Sequence, residues 1–149
     1  MQQAPQPLLR QIESVFVSYA AAFSRGDQHA IAAHFGDTVH VTADTGTGVH
    51  TTFFASRDEW LAVISELVAS YGRKGVGRVQ LQRLHVMSLS ERVAQASVRW
   101  ALVGRGGADL YEFEALYTLA NEGGAWRIVA IAHDEVASRH SHASTTITP

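Results

Sequence analysis

Cysteine is absent from the 149-residue sequence, which excludes a disulfide framework, a cysteine-based metal site and a cysteine nucleophile. An excess of basic charge is also absent. Twelve Lys and Arg face fourteen Asp and Glu, so the net charge of −2 lacks the footprint of a nucleic-acid-binding protein. No apolar run approaches the ~18 residues that a membrane span needs. We therefore expect neither nucleic acid nor membrane as a partner.

The remaining composition is that of a globular protein. Apolar residues make up 46% of the chain and charged residues 17%, and this length is sufficient to bury the core of one domain. The start carries a single positive charge before residue 12, a poor fit to a secretory signal, so we expect a cytoplasmic protein. The pattern predicts a flexible start at residues 1–6, a single domain over residues 7–136 and a flexible tail at residues 137–149.

Hydrophobic spacing predicts three helices in the first half of the chain. The first extends over residues 7–26 and the second over residues 27–35, where each is ended by a glycine. The third extends over residues 57–71. Ser56 and Glu59 form a capping box at its start.

Alternation of apolar and polar residues predicts the strands. Two short strands lie among the helices, and four longer antiparallel strands follow them. Their expected ranges are 38–41, 49–55, 77–89, 91–104, 108–120 and 125–136. This order predicts an α+β fold in which the helices pack against one face of a bent sheet.

The sequence pattern predicts the strand register most clearly for the hairpin between residues 91 and 120. A two-residue loop at residues 105–106 would place Trp100 opposite Tyr111 and Arg99 opposite Glu112. In this register one face of the hairpin is apolar and the other is polar, as a half-buried hairpin requires. The register predicts a cross-strand ion pair between Arg99 and Glu112.

The last predicted strand is expected to be apolar on both faces. Trp126 and Ile128 alternate onto one face, and Val129 and Ile131 alternate onto the other. A strand of this kind is covered on both sides. Because three helices can cover only one side of a sheet, we expect a second subunit on the other side.

The order of these elements resembles the nuclear transport factor 2-like superfamily, which includes the SnoaL-like polyketide cyclases and the ketosteroid isomerases. The resemblance covers residues 8–136. It rests on the first helix ending at residues 25–27, the short helix running into residues 35–37, the helix after Ser56 and the terminal hairpin with residues 123–128. It implies a cone-shaped, curved antiparallel sheet wrapping three N-terminal helices, a cystatin-like barrel with an apolar pocket. It also implies a homodimer through the convex face of the sheet.

The resemblance makes Tyr19 a candidate catalytic residue. Tyr19 lies on the apolar face of the first helix, seven residues before Gly26. In ketosteroid isomerases a tyrosine at this spacing donates a hydrogen bond to the developing oxyanion. A buried tyrosine hydroxyl needs a partner, and a ligand can supply one. A core tyrosine bonded to backbone or water is the alternative.

Asp44 follows the first predicted strand, near the place where the resemblance implies a general base. A carboxylate at the rim of an apolar pocket can take a proton next to a carbonyl group. Counted without gaps, however, the implied position falls on Ala43, and an Asp before Thr-Gly is also ordinary turn chemistry. A third acidic position of the isomerases corresponds to Ala115, so either another group serves or the reaction differs.

His133 shares a face of the last predicted strand with Ile131, and the resemblance turns that face toward the pocket. Imidazole can act as an acid or a base near neutral pH. Glu135 would share this face and could orient the ring, whereas Asp134 would point away. A core histidine with satisfied hydrogen bonds is the alternative.

Neither a metal nor a cofactor is expected, because the histidines and carboxylates lack ligand spacing and no Gly-rich phosphate loop is present. The predicted ligand is a small hydrophobic organic molecule. The catalytic candidates are Tyr19, Asp44 and His133. The expected wall of the pocket is formed by Phe16, Phe35, Trp60, Ile64, Trp100, Phe113, Tyr117 and Ile131.

Two classes of function are open. If the protein is an enzyme, we expect cofactor-free proton transfer of the isomerase, cyclase or dehydratase type, with Tyr19 as donor and His133 or Asp44 as base. The alternative is a non-catalytic ligand-binding or dimeric assembly module on the same fold. An enzyme needs an open cavity with a titratable group near Tyr19. A module could have its cone filled by Trp60 and Trp100.

Overall fold

The computed structural model describes residues 1–139, so residues 140–149 of the predicted tail lie outside the described residues. The elements are β1 (Gln2–Gln3), α1 (Gln6–Ser24), α2 (Gln28–Ala32), β2 (Phe35–Asp44), β3 (Val49–Phe54), α3 (Arg57–Arg73), β4 (Val76–Ser88), β5 (Val93–Gly104), β6 (Asp109–Glu122) and β7 (Ala125–His133). A helical turn at residues 135–139 follows β7. The predicted α+β fold is confirmed.

Local sequence signals set the helix ends. The Ser56 hydroxyl accepts the backbone N–H of Glu59 at 3.2 Å, and the Glu59 carboxylate accepts the N–H of Ala55 at 3.0 Å, as a capping box does. Asp27 caps α2 in a similar way. The predicted second helix was too long, because Phe35 already begins β2.

The curved sheet has seven strands in the order β1-β4-β5-β6-β7-β2-β3 and does not close into a barrel. Its pairs are antiparallel except for β2 and β7, which run parallel. Within the start that was predicted to be flexible, Gln2 and Gln3 pair with the end of β4. Within residues 1–139, no helix combines the length and the apolar character needed to cross a membrane.

The β5–β6 hairpin has the predicted faces in a different register. Trp100 lies opposite Phe113, and Arg99 lies opposite Glu114, two residues from the predicted partners. The turn over residues 104–108 is longer than predicted, and a register shift next to it accommodates the difference. Because side chains alternate with a period of two, a shift of two residues leaves each one on its face.

The predicted Arg99–Glu112 ion pair is present as a diagonal contact of 2.9 Å. Arg99 also binds Glu114 at 2.7 Å, and Arg83 binds the same carboxylate oxygen at 2.8 Å. These hydrogen bonds to Glu112 and Glu114 raise the pKa of Arg99. The four charged side chains of Arg83, Arg99, Glu112 and Glu114 form a network of ion pairs on the convex face of the sheet.

The predicted faces of β7 are wrong because the strand contains a bulge at Val129. The pairing with β6 shifts at this position, so Val129 has no paired residue there. Trp126, Ile128 and Ile131 all join the core on the concave side, although the first two would alternate away from Ile131 on an unbroken strand. A bulge reverses the alternation of side chains, and nothing in the alternation itself marks one. The two-sided apolar strand therefore does not exist as predicted.

Candidate functional site

A cavity of about 260 Å³ opens between α1, α3 and the concave face of the sheet. The predicted residues that line it are Tyr19, Trp60, Ile64, Trp100, Phe113, Tyr117, Ile131 and His133. Further lining residues are Phe23, Val41, Thr52, Phe54, Val63, Leu67, Tyr71, Val79, Ala115, Glu135, Val136 and Arg139. Trp60 and Trp100 form part of the wall and leave the cone open. A concave, mainly apolar cavity with a few polar groups is typical of small-molecule sites.

The expected positions of Phe16 and Phe35 are corrected. Both side chains are fully buried and do not line the cavity. Phe16 packs against Tyr117 with ring centroids 4.8 Å apart, and Phe35 packs against Trp60 at 4.9 Å. They support wall residues from behind. The sequence pattern indicates that a side chain faces the core, but not whether it reaches the cavity.

Asp44 lies at the end of β2, and the structure does not bring it into the cavity wall. Its Oδ1 accepts the backbone N–H of Gly46 at 2.8 Å, which is the turn chemistry that the sequence offered as the alternative. Ala43 and Ala115 instead flank His133 in the neighbouring strands. The two acidic positions implied by the isomerase resemblance are therefore apolar here.

Tyr19 belongs to an aromatic cluster on one side of the cavity. The Tyr117 hydroxyl accepts the Nε1–H of Trp100 at 2.7 Å, and Tyr19 is the neighbouring tyrosine. Burial raises the pKa of Tyr19 well above its usual value, and Tyr117 and Glu135 add to this. Tyr19 therefore stays protonated near neutral pH, and its hydroxyl can donate a hydrogen bond to a ligand but cannot act as a base.

Glu135 forms the polar end of the cavity. It begins the helical turn after β7, and only 7% of its surface is exposed. Its Oε2 accepts the hydroxyl of Tyr71 at 2.6 Å and that of Tyr111 at 2.8 Å. None of the ion pairs formed within residues 1–139 includes Glu135.

The burial of this carboxylate is energetically demanding. Desolvating an ionised carboxylate costs several kcal/mol, and hydrogen bonds to a charged group return about 1.5–3 kcal/mol each. Glu135 receives two of them from side chains, on one oxygen only. Burial and the nearby Glu135 charge raise the pKa values of Tyr71 and Tyr111, so both hydroxyls remain protonated donors.

His133 adjoins this carboxylate in a fixed tautomer. Its Nδ1 accepts the backbone N–H of Glu135 at 3.2 Å. Burial lowers the pKa of His133, and although Glu135 and Asp134 act in the opposite direction, the ring is neutral near pH 7. A neutral ring that accepts at Nδ1 carries its hydrogen on Nε2.

Two buried donors of the wall lack a hydrogen-bond partner among residues 1–139. They are the Nε1–H of Trp60 and the Nε–H of Arg139. In the same part of the chain, no group of three His, Asp or Glu side chains is arranged to hold a metal ion. The chemistry that the site offers is therefore a buried carboxylate, a neutral imidazole and protonated tyrosines around an apolar space.

Sequence reasoning identified His133 and placed Glu135 on its face, but it missed Tyr71 and Tyr111 as partners of that carboxylate. Both tyrosines were expected on apolar faces of their elements, where they are found. The tyrosine–carboxylate contacts join residues 64 and 24 positions apart. No local sequence pattern predicts such long-range contacts.

Comparison with known proteins supports the fold. Residues 10–136 match a family described as NTF2-like protein (DUF6841). No curated protein sequence matches the chain.

Similar solved structures share this architecture at low sequence identity. One is a protein of unknown function with a cystatin-like fold from Nostoc punctiforme, with 10% identity, a TM-score of 0.68 and coverage of 90% of this chain and 94% of that one. Aln2 from a Streptomyces species has 16% identity, a TM-score of 0.71 and coverage of 97% and 99%. A putative calcium/calmodulin dependent protein kinase II association domain from Xanthomonas campestris has 15% identity, a TM-score of 0.62 and coverage of 90% and 94%.

At these identities the solved structures show the fold alone. The family match spans most of the chain and confirms the resemblance to nuclear transport factor 2-like proteins. The chain therefore belongs to the DUF6841 family of NTF2-like proteins.

Proposed function

We propose that the protein binds a small, largely apolar organic molecule in the cavity and catalyses a cofactor-free proton transfer on it. The supporting observation is the buried Glu135 carboxylate at the end of an apolar cavity, where its side-chain partners are two tyrosine hydroxyls. Burying a carboxylate costs desolvation energy, and a buried carboxylate at the end of a cleft is a candidate functional group.

The wall defines the class of ligand. Aromatic and aliphatic side chains supply most of the contact surface, so the body of the ligand is apolar. Glu135 and His133 supply an acceptor and a donor at one end of the cavity, so the ligand carries a carbonyl or hydroxyl group at that end. The cavity volume of about 260 Å³ leaves space for such a molecule.

Binding of 2-naphthol, measured by isothermal titration calorimetry, tests this proposal. Ala115 lines the cavity beside His133, so Ala115→Leu fills the space and abolishes binding. Ala120→Leu is the matched control, because Ala120 lies on the same strand but does not line the cavity. Absence of binding to the wild type, or equal binding by both variants, would contradict the proposal.

A second candidate function is dimeric assembly, with or without ligand binding. Leu116 is 58% exposed on the convex face of the sheet, where it borders a groove of about 300 Å³ shared with Ala130 and Ala132. We propose that a second copy of the chain covers this face. The structure from Xanthomonas campestris, which has a similar fold, is described as a putative association domain, and this description is consistent with the proposal.

Sedimentation velocity tests the dimer. Leu116→Glu places a charge at the centre of the proposed interface and produces a monomer. Val49→Glu is the control, because Val49 is 74% exposed and lies at the start of β3, outside this groove. A wild-type monomer, or a dimer that survives Leu116→Glu, would contradict this second proposal.

A further inference from the structure

We infer that Glu135 is the base of the proposed reaction and that His133 is a hydrogen-bond donor to the substrate oxygen, so that the reaction class is proton transfer at a carbon next to a carbonyl group. This inference rests on the proposed function, because it needs a ligand in the cavity. It differs from the assignment suggested by the sequence, in which His133 or Asp44 was the base.

The hydrogen bonding of His133 excludes it as the base. A neutral imidazole has one nitrogen that can take a proton, and in His133 this nitrogen is Nδ1, which accepts the Glu135 backbone N–H at 3.2 Å. The other ring nitrogen, Nε2, carries hydrogen. It has no hydrogen-bond partner among residues 1–139, and the side chain lines the cavity. His133 therefore offers a donor to the ligand.

The hydrogen bonding of Glu135 within the described residues leaves one carboxylate oxygen free to accept a proton from a ligand. Both tyrosine hydroxyls donate to Oε2, and Oε1 accepts no hydrogen bond from the described residues. The hydroxyls fix the plane of the carboxylate, and Oε1 remains available to a ligand in the cavity that Glu135 lines. A base held in place beside an apolar space needs little solvent reorganisation when it reacts.

The other groups near the cavity do not compete for this role. Tyr19, Tyr71 and Tyr111 are protonated donors, and Asp44 is bound within its own turn outside the wall. Arg139 lines the cavity as a cation and cannot accept a proton. Glu135 is thus the proton acceptor that the described residues present to the ligand.

The chemical step balances without a cofactor. Oε1 of Glu135 takes the proton from the carbon next to the carbonyl group, and the electrons of the C–H bond form a carbon–carbon double bond. The carbonyl oxygen gains the negative charge and is stabilised by the Nε2–H of His133. Return of this proton to a different carbon completes an isomerisation. If the proton on Glu135 is first replaced by one from solvent, return to the original carbon completes an exchange. No electron leaves the substrate.

Hydrogen–deuterium exchange of 2-tetralone in D₂O, followed by proton NMR, tests the inference. Its acidic C–H lies next to a ketone, and 2-naphthol has the shape of its enol. Glu135→Gln keeps an oxygen that accepts from both tyrosines but removes the base, so exchange falls at least ~100-fold. His133→Gln keeps an N–H donor near the Nε2 position and cannot act as a base, so exchange stays within about tenfold of the wild type.

Binding of 2-naphthol to each variant separates the possible outcomes. If the wild type does not bind 2-naphthol, the proposed function fails and this inference fails with it. If it binds but gives no exchange, or if His133→Gln abolishes exchange while Glu135→Gln retains it, the inference alone is overturned. Should Glu135→Gln not fold, Glu135→Asp withdraws the carboxylate by one methylene, and we expect kcat to fall while KM is retained.

Discussion

The hydrogen bond from Tyr71 to Glu135 is expected to contribute more to stability than an ordinary tyrosine hydrogen bond. Tyr71→Phe removes the 2.6 Å contact but keeps the ring that packs against Phe23. Because the acceptor is charged and buried, we expect a loss of about 2 kcal/mol, within the range of charged hydrogen bonds. In Glu135→Gln the acceptor is a neutral amide, and the same change costs about 1 kcal/mol. The difference predicts a coupling energy of about 1 kcal/mol between the two residues.

A double-mutant cycle measures this coupling from urea unfolding at pH 7. Tyr117→Phe combined with Glu135→Gln provides the control, because the Tyr117 hydroxyl binds Trp100 rather than the carboxylate. The control pair should be additive within ~0.5 kcal/mol. A Tyr71–Glu135 coupling no larger than that of the control would refute the claim that the tyrosines hold an ionised carboxylate.

Three further predictions concern the other candidate residues. Burial lowers the pKa of His133, so as the pH falls the unfolded chain takes up a proton near pH ~6.5 before the folded chain does. We therefore expect the free energy of unfolding to decrease between pH 7 and 5, and to decrease less in His133→Gln. Urea unfolding at each pH measures both. Tyr19→Phe removes one hydroxyl near Tyr117 and costs at most ~1.5 kcal/mol but weakens 2-naphthol binding; a large loss of stability with unchanged binding would make Tyr19 a core residue only. Asp44→Ala removes the bond to Gly46 and leaves the exchange rate of 2-tetralone unchanged, whereas a drop in that rate would restore Asp44 as the base.

The fold was predictable because its signals are local. Ser56 and Glu59 mark the start of α3 within four residues of sequence, and the alternation in β5 and β6 gives their faces correctly even though the register is shifted by two. The parallel pairing of β2 with β7 is a long-range contact, and the strand patterns do not specify it.

The site was only partly predictable, since its partners meet across long stretches of chain. His133 was placed on the concave side by alternation from Ile131, beyond the bulge, and that part of the strand is regular. The bulge itself and the approach of Tyr71 and Tyr111 to Glu135 depend on the packing of α3 against the sheet and on the turn after β7. Composition and periodicity carry no information on such approaches.

The central claim is that the cavity holds an apolar ligand with its polar group at Glu135. A crystal structure of the protein with bound 2-naphthol tests it most directly. The account predicts the naphthalene ring between Trp60, Trp100 and Phe113, with the hydroxyl oxygen within about 3 Å of Glu135 Oε1. A ligand in the convex groove beside Leu116, or one in the cavity with its hydroxyl turned away from Glu135, would contradict the account.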